Sequence, residues 1–128
     1  VWERLSGAIA DSPLLTIAAL NGTAAGGALG MVLASDLRVA APAAKFFCPV
    51  MKLGFLPQPS DPERLAALVG PARAKLLLMG GQKIDAAEAL QIGLVDRLSD
   101  TPLDEARAIA TDALGANRVH VEAIKEML

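Results

Sequence analysis

An uncharged stretch over residues 13–35, PLLTIAALNGTAAGGALGMVLAS, constrains the fold more than any other part of the chain. The apolar run from Leu14 to Leu20 has the length and composition of a strand buried on both faces, and Asn21-Gly22 supplies the turn that ends it. A helix is therefore expected to begin near Ala24 or Ala25.

Gly26 and Gly27 fall in the first turn of that helix, where backbone N–H groups lack intrahelical acceptors and the helix dipole favours negative charge. Since no side chain screens them, these groups are suited to form part of an oxyanion hole. The alternative is that the glycines only permit close packing of a core strand and a core helix, and the pattern alone leaves both open. A dinucleotide fingerprint and a P-loop are excluded, because the glycine spacing is wrong and no Lys follows.

The same stretch is long enough to cross a bilayer, and Gly22, Gly26 and Gly30 form a face of small residues. Pro13 and Asn21-Gly22 interrupt the run, however, and its Ala and Gly side chains are only weakly apolar. A membrane span is therefore the less favoured interpretation, and we expect no membrane partner.

Composition narrows the class of protein. The 128 residues, 53% apolar and 20% charged, indicate one globular, well buried domain. A net charge of −2 and an aromatic content of 3% argue against nucleic acid as a partner. One Cys and one His exclude a Cys/His zinc site and a disulfide framework, which fits the cytoplasm, and no metal is expected.

Both ends of the sequence read as amphipathic helices, VWERLSGAIA and VHVEAIKEML. Trp2, Leu5 and Ile9 lie on one face of the first. Val121, Ile124 and Leu128 form the apolar face of the second, which needs a partner surface. The first helix reads as already under way and the second stops inside its pattern. We therefore expect this chain to be a piece of a longer one.

Two acids lie beside predicted elements. Asp36 follows the glycine-rich helix and is expected to pin the turn before a strand over Leu37–Ala40, with a catalytic role as the alternative. Asp61 is placed as an N-cap with Pro62 at the first helical position, which we favour over a catalytic role.

Cys48 is expected to be a small buried hydrophobe, because its only possible partner, His120, lies in a remote terminal helix and reads as a surface residue. The remaining pattern is a short strand over 45–48, helices over 63–69, 72–79, 85–93 and 101–114, and an extended segment over 94–98. This order of elements is typical of an α/β fold.

The segment SPLLTIAALNGTAAGGALGMVLASDLRVAAPAAKF, followed by KLGFLP and ERLAALVGPARAKLLLMGGQKIDAAEALQIGLVDRL, resembles the crotonase superfamily, the enoyl-CoA hydratase/isomerase family. The likeness runs from about Ser12 to Leu98. It implies a crotonase-like ββα spiral, with residues 1–98 as the C-terminal part of the core, lacking its N-terminal half. Residues 99–128 would be a helical C-terminal segment, itself truncated.

The resemblance implies an acyl-CoA thioester as substrate and a thioester enolate held by two backbone N–H groups. Gly27 matches the second donor, while the first lies in the family's N-terminal half. The substrate-binding positions that the resemblance implies are Gly26, Gly27, Pro49, Val50 and Pro57. It also implies no cofactor other than coenzyme A as part of the substrate, and a homotrimer or a dimer of trimers.

The sequence departs from the hydratases of the family at both catalytic glutamates. One glutamate sits three residues after the oxyanion glycine and the other follows a proline, and these places hold Gly30 and Val50 here. Neither residue can act as a general acid or base, so the pair that activates water is missing. The nearest acids are Asp61 and Glu63, and a relocated carboxylate at Asp61 is a further hypothesis.

Three functions remain open on the sequence. The first is an acyl-CoA enzyme that uses an enolate-stabilising site for a reaction such as double-bond isomerisation. The second is a catalytically silent family member that binds CoA thioesters or acts only as a subunit. The third and weakest is a membrane or scaffold protein that merely uses the apolar run.

Overall fold

The computed structural model describes residues 1–128. The first half contains α1 (Trp2–Ala10), β1 (Ile17–Leu20), β2 (Ala24–Ala25), α2 (Gly27–Ala34), β3 (Leu37–Ala40), β4 (Lys45–Phe47) and α3 (Val50–Leu53). The second half contains α4 (Asp61–Val69), α5 (Pro71–Leu78), β5 (Ile84–Asp85), α6 (Ala86–Gln91), β6 (Arg97–Leu98), α7 (Pro102–Ile109), α8 (Thr111–Gly115) and α9 (Arg118–Met127).

The first four strands alternate between two sheets. One sheet has the order β1-β3-β6 and is parallel throughout, with Ile17 opposite Leu37 and Leu20 opposite Ala40. The other has the order β2-β4-β5, in which β2 and β4 are parallel and β4 and β5 antiparallel. Each parallel pair needs a crossover, and α2 supplies the one between β1 and β3. The predicted α/β class is confirmed.

The core is one cluster of 17 buried residues that centres on α2 and the elements packed around it. Leu29 and Leu33 of α2 are buried with Phe46 of β4, Leu65 of α4 and Leu94 before β6. Burial of such large side chains typically contributes about 1.5–3 kcal/mol each, so these contacts hold α2 and α4 together.

The predicted start of the glycine-rich helix is confirmed, since α2 begins at Gly27. The predicted burial of the preceding strand on both faces is wrong. β1 covers only Ile17–Leu20, all four residues are partly exposed, and Leu14 is 47% exposed. The reason is that β1 lies at the edge of its sheet and pairs only with β3.

The predicted apolar face of α1 is also not the buried one. Trp2 and Leu5 are each 43% exposed, whereas the buried residue of α1 is Ser6. Ser6 accepts a hydrogen bond from Nη1 of Arg64 in α4, at 2.9 Å. The buried position of α1 therefore makes a polar contact with α4.

Several local predictions match. Asp85 caps α6 by accepting a hydrogen bond from the Glu88 N–H at 2.9 Å. Three differ: the helix predicted over 101–114 is divided into α7 and α8, α3 was not predicted, and the 85–93 helix ends at Gln91.

No helix combines the length and the apolar character that a membrane span needs.

Asp36 pins the turn before β3, as predicted. Its Oδ2 accepts a hydrogen bond from the Thr16 N–H at 2.9 Å, and its own N–H donates to Oγ1 of Thr16 at 2.9 Å. Nζ of Lys125 lies 2.8 Å from the same Oδ2. Asp36 thereby joins β1, β3 and α9.

Arg38 is a buried charge that ties β3 to the segment before β6. Its Nε donates to the Leu94 carbonyl at 2.8 Å and Nη1 to the Ser35 carbonyl at 2.6 Å. Its backbone N–H donates to Oδ2 of Asp96 at 2.8 Å. Burial lowers the pKa of Arg38, and the carboxylates of Asp96 and Asp36 oppose that lowering.

We expect Arg38→Ala to lower the free energy of unfolding by about 3 kcal/mol, because it leaves the carbonyls of Ser35 and Leu94 without their donors. Arg97→Ala is the matched control, since Arg97 is exposed and bonds only to the adjacent Asp96 carbonyl. Its effect should stay within about 0.5 kcal/mol. Urea unfolding of the full-length protein measures both, and equal losses would contradict the assigned role of Arg38.

Candidate functional site

The N-terminus of α2 presents unpaired backbone donors. Gly26 is the N-cap with a φ of 60°, a conformation that favours glycine. The first hydrogen bond of the turn runs from the Leu29 N–H to the Gly26 carbonyl at 3.1 Å, and the Gly27 N–H donates to no protein acceptor. Together with the dipole of an eight-residue helix, this arrangement can hold a developing negative charge.

The side chain of Trp2 lies over Gly27. A Cβ at position 27 would lie 2.6 Å from Cγ of the Trp2 indole, so only glycine fits beneath the ring. The sequence placed Trp2 on an apolar helix face and gave no signal for this contact. An oxyanion hole at this helix start predicts a cavity at the Gly27 N–H, but neither of the two principal cavities of the chain includes Gly27.

A second close approach occurs at Gly30, one turn further along the same helix. A Cβ on Gly30 would lie 2.9 Å from Oδ1 and 3.1 Å from Oδ2 of Asp61. Gly30 is buried, and Asp61 is only 8% exposed. The Asp61 carboxyl therefore fills the space that a side chain at position 30 would take.

The predicted capping role of Asp61 is wrong. Ser60 is the N-cap of α4, Asp61 is its first residue, and Pro62 is its second. The Ser60 side chain accepts no hydrogen bond from α4, and Oδ1 of Asp61 has no hydrogen-bond partner. The sequence could not show this, because the side chain turns inward to the space above Gly30, which lies on another helix.

Burial raises the pKa of the Asp61 carboxyl above its ordinary value. The negative charge of Glu3 raises it further, while the guanidinium of Arg64 opposes the rise. A raised pKa makes a carboxyl a better proton acceptor than an ordinary aspartate, which is the property that a general acid/base needs.

Cys48 is buried at the end of β4, as predicted, and belongs to the core. Burial raises the pKa of its thiol to about 11, with a further contribution from the charge of Asp61. The thiol is therefore protonated at neutral pH and is a poor nucleophile. His120 is exposed on α9, as predicted, and does not pair with Cys48.

The other predicted site residues are more exposed. Pro49 and Val50 follow Cys48 at the start of α3 and are partly exposed, and Pro57 is partly exposed in the loop before α4. Glu63 is exposed on α4, away from Gly30. No group of three or more His, Cys, Asp or Glu side chains is arranged to hold a metal ion.

The principal cavity lies elsewhere, between the strand ends of the parallel sheet and the C-terminal helices. It has a volume of about 670 Å³. Its apolar lining includes Leu15, Leu37, Ala116, Val121, Ile124 and Leu128. The face of α9 that the sequence marked as needing a partner therefore lines this cavity.

Asp61 should affect stability in a pH-dependent way. Because its pKa is raised in the fold, its contribution is fully present below about pH 4 and is lost as pH rises through the folded pKa. Asp61→Asn should therefore raise Tm at pH 8 by on the order of a few °C, and the gain should vanish near pH 4. Thermal unfolding of Glu63→Gln is the control, and a gain in Asp61→Asn that persists at pH 4 would contradict the cause given.

Comparison with known proteins identifies relatives along the whole chain. The sequence model of the family described as enoyl-CoA hydratase/isomerase matches residues 2–128. A Mycobacterium leprae (strain TN) protein named "Probable enoyl-CoA hydratase echA8" is 43% identical over 127 residues, which cover 98% of this chain and 48% of that protein. Short-chain-enoyl-CoA hydratase of Clostridioides difficile is 42% identical over 121 residues, which cover 90% of this chain and 77% of that protein.

Solved structures agree. Enoyl-CoA hydratase from Bacillus anthracis superposes with a TM-score of 0.92 at 31% identity, covering 98% of this chain and 49% of that one. Enoyl-CoA hydratase from Thermoplasma volcanium gives 0.86 at 29% identity, covering 98% and 50%. The chain thus spans about half the length of these two structures and of the mycobacterial relative. It belongs to the enoyl-CoA hydratase/isomerase family of the crotonase superfamily, as the resemblance predicted.

Proposed function

We propose that the protein containing this chain binds an acyl-CoA thioester and stabilises its enolate, with the Gly27 N–H as one oxyanion donor and Asp61 as the acid/base. The proposed reaction moves a double bond or exchanges an α-proton and does not add water. The observation that carries this proposal is the approach of the Asp61 carboxyl to within 2.9 Å of a Cβ position on Gly30. In hydratases, by the resemblance, that position bears a catalytic glutamate.

The enolate site is supported by the N-terminus of α2. The Gly27 N–H has no protein acceptor, and the helix dipole adds to its attraction for an oxyanion. A preorganised donor of this kind is worth roughly 10²- to 10³-fold in rate. By the resemblance, the second donor belongs to the family's N-terminal half, so the complete site needs the full-length protein.

A single carboxyl limits the chemistry. Hydration needs one group to take a proton from water and another to protonate the α-carbon. Val50 holds the second glutamate position and supplies neither. Asp61 alone can remove a proton from one carbon of the acyl chain, which converts the thioester to its enolate. It can then return the proton to another carbon. That sequence of steps is balanced without water and without a cofactor beyond the coenzyme A of the substrate.

The state of the Asp61 carboxyl fits this role. Burial raises its pKa, and its Oδ1 has no protein donor that would hold it in one state. A raised pKa makes this carboxyl a stronger base towards a substrate proton than an ordinary exposed aspartate.

The second candidate is a catalytically silent member that binds CoA thioesters or acts as a subunit. The contact of the Trp2 indole with Gly27 favours it, since the ring lies beside the proposed oxyanion donor. Titration with a CoA thioester detects binding in both cases. Turnover of the bound thioester separates the two candidates.

The test of the proposed chemistry uses the full-length protein with crotonyl-CoA for hydration and an enoyl-CoA in D2O for isomerisation and α-proton exchange. We expect hydration to be very slow, because each missing acid or base is typically worth about 10²- to 10⁴-fold. Asp61→Asn should lower proton exchange by a factor in that same range, and Glu63→Gln should not. Efficient hydration, or exchange that survives Asp61→Asn, would sink the proposal.

A gain of hydration would test the two glutamate positions directly. Gly30→Glu alone would collide with Asp61, so the variant must combine Gly30→Glu, Val50→Glu and Asp61→Gly. Asp61→Gly with Val50→Glu is the matched control, which lacks only the glutamate at position 30. Greater hydration in the triple variant than in this control would support the assignment of Gly30.

We further propose a homotrimer or a dimer of trimers. The family resemblance supports it, and so do apolar side chains that stay exposed on the C-terminal helices, namely Leu114, Val119 and Met127. Light scattering of the full-length protein should give three or six times the mass of one chain. A stable monomer would contradict this assembly.

A further inference from the structure

We infer that Glu3 is a positioning residue for Asp61: by clamping Ser60, its carboxylate keeps the Asp61 side chain turned towards Gly30. The catalytic meaning of this inference rests on the proposed function, in which Asp61 is the acid/base. The clamp itself is a statement about the fold and can be tested separately.

The clamp joins the first turns of α1 and α4. The Glu3 carboxylate accepts hydrogen bonds from the Ser60 N–H, at 3.2 Å, and from the Ser60 hydroxyl, although 57 residues separate the two in sequence. A second contact lies one turn further along both helices. Arg64 Nη1 donates to the hydroxyl of Ser6, which in turn donates to the Glu3 carbonyl at 3.1 Å. These contacts fix the start of α4 against α1.

The clamp changes what the residues at the start of α4 do. A serine at an N-cap normally accepts a hydrogen bond from the second or third N–H of its own helix. Ser60 does not: its backbone is helical, with φ −87° and ψ −14°, where a capping serine is extended, and its hydroxyl donates to Glu3. Glu3 also supplies the negative charge that the positive end of the α4 dipole favours. Asp61 does not take the capping role that its place in the sequence predicts.

A buried carboxylate without a hydrogen-bond partner raises the free energy of the fold. Other contacts must therefore keep the Asp61 side chain in this position. The start of α4 needs no cap from Asp61, because the Asp61 N–H donates to the Gln58 carbonyl at 3.0 Å and Pro62 has no N–H. Ser60 directly precedes Asp61, so its two bonds to Glu3 fix the backbone from which the Asp61 side chain projects. Loss of the clamp would free this backbone and let the Asp61 side chain move away from Gly30.

Charge gives Glu3 an effect that a purely structural contact would lack. The groups that face Asp61 are Glu3 from α1, Arg64 from α4 and Cys48 at the end of β4, while α2 presents only the backbone of Gly30. The charge of Glu3 raises the pKa of Asp61 and that of Arg64 lowers it. Removal of the Glu3 charge should therefore lower the pKa of Asp61.

The experiment follows the Asp61 carboxyl in the full-length protein by ¹³C NMR during a pH titration, with its signal assigned from Asp61→Asn. Glu3→Gln keeps an acceptor oxygen for Ser60 and removes the charge, so the pKa of Asp61 should fall. The acidic limb of the proton-exchange profile should move to lower pH with it, while most of kcat remains. Glu3→Ala removes the clamp as well, and kcat should fall by on the order of tenfold to a hundredfold.

Glu63→Gln is the matched control, because it removes the same charge from the first turn of α4 at an exposed site. It should move neither the NMR titration nor the profile. An Asp61 titration unchanged by Glu3→Gln, or changed equally by Glu63→Gln, would overturn the inference. Full activity of Asp61→Asn would instead defeat the proposed function, and the NMR titration would still decide whether Glu3 controls Asp61.

Discussion

One face of α2 carries no side chains at two positions, and the packing of α1 and α4 against this helix depends on it. Gly27 and Gly30 lie three residues apart on the helix and so share a face. The indole of Trp2 covers the first and the carboxyl of Asp61 covers the second, each closer than any Cβ would allow. Both α1 and α4 can therefore approach α2 closely. A side chain at either glycine would displace the indole of Trp2 or the carboxyl of Asp61.

This packing brings a carboxyl to the proposed enolate site by a route that differs from the one that the family resemblance implies. In hydratases, by the resemblance, the glutamate grows from α2 itself, whereas here Asp61 reaches the same space from the start of α4. The arrangement carries a cost, because Oδ1 is buried without a partner and burial raises its pKa. Strained electrostatics of this kind are typical of functional sites, where chemistry and stability compete.

The frame that supports the site relies on polar contacts elsewhere. Arg38 donates hydrogen bonds to the carbonyls of Ser35 and Leu94. It thereby joins the segment that leads into β3 to the segment that leads into β6. Asp36 joins β1, β3 and α9 through Thr16 and Lys125. These contacts hold the segments around the core in place. They do not involve Asp61, whose Oδ1 stays without a hydrogen-bond partner.

The sequence by itself determined the features that arise within a few residues. These are the start of α2 at its glycines, the turn at Asp36, the cap at Asp85 and, from the order of its motifs, the family. Tertiary structure alone decided which side of α1 is buried, how exposed β1 is, and where Asp61 points. The physical reason is distance along the chain: β1 is an edge strand because of pairings with no local signal. Likewise, the Asp61 side chain turns to a space left by a missing Cβ on α2, and the residue before it, Ser60, is bonded to a carboxylate from α1.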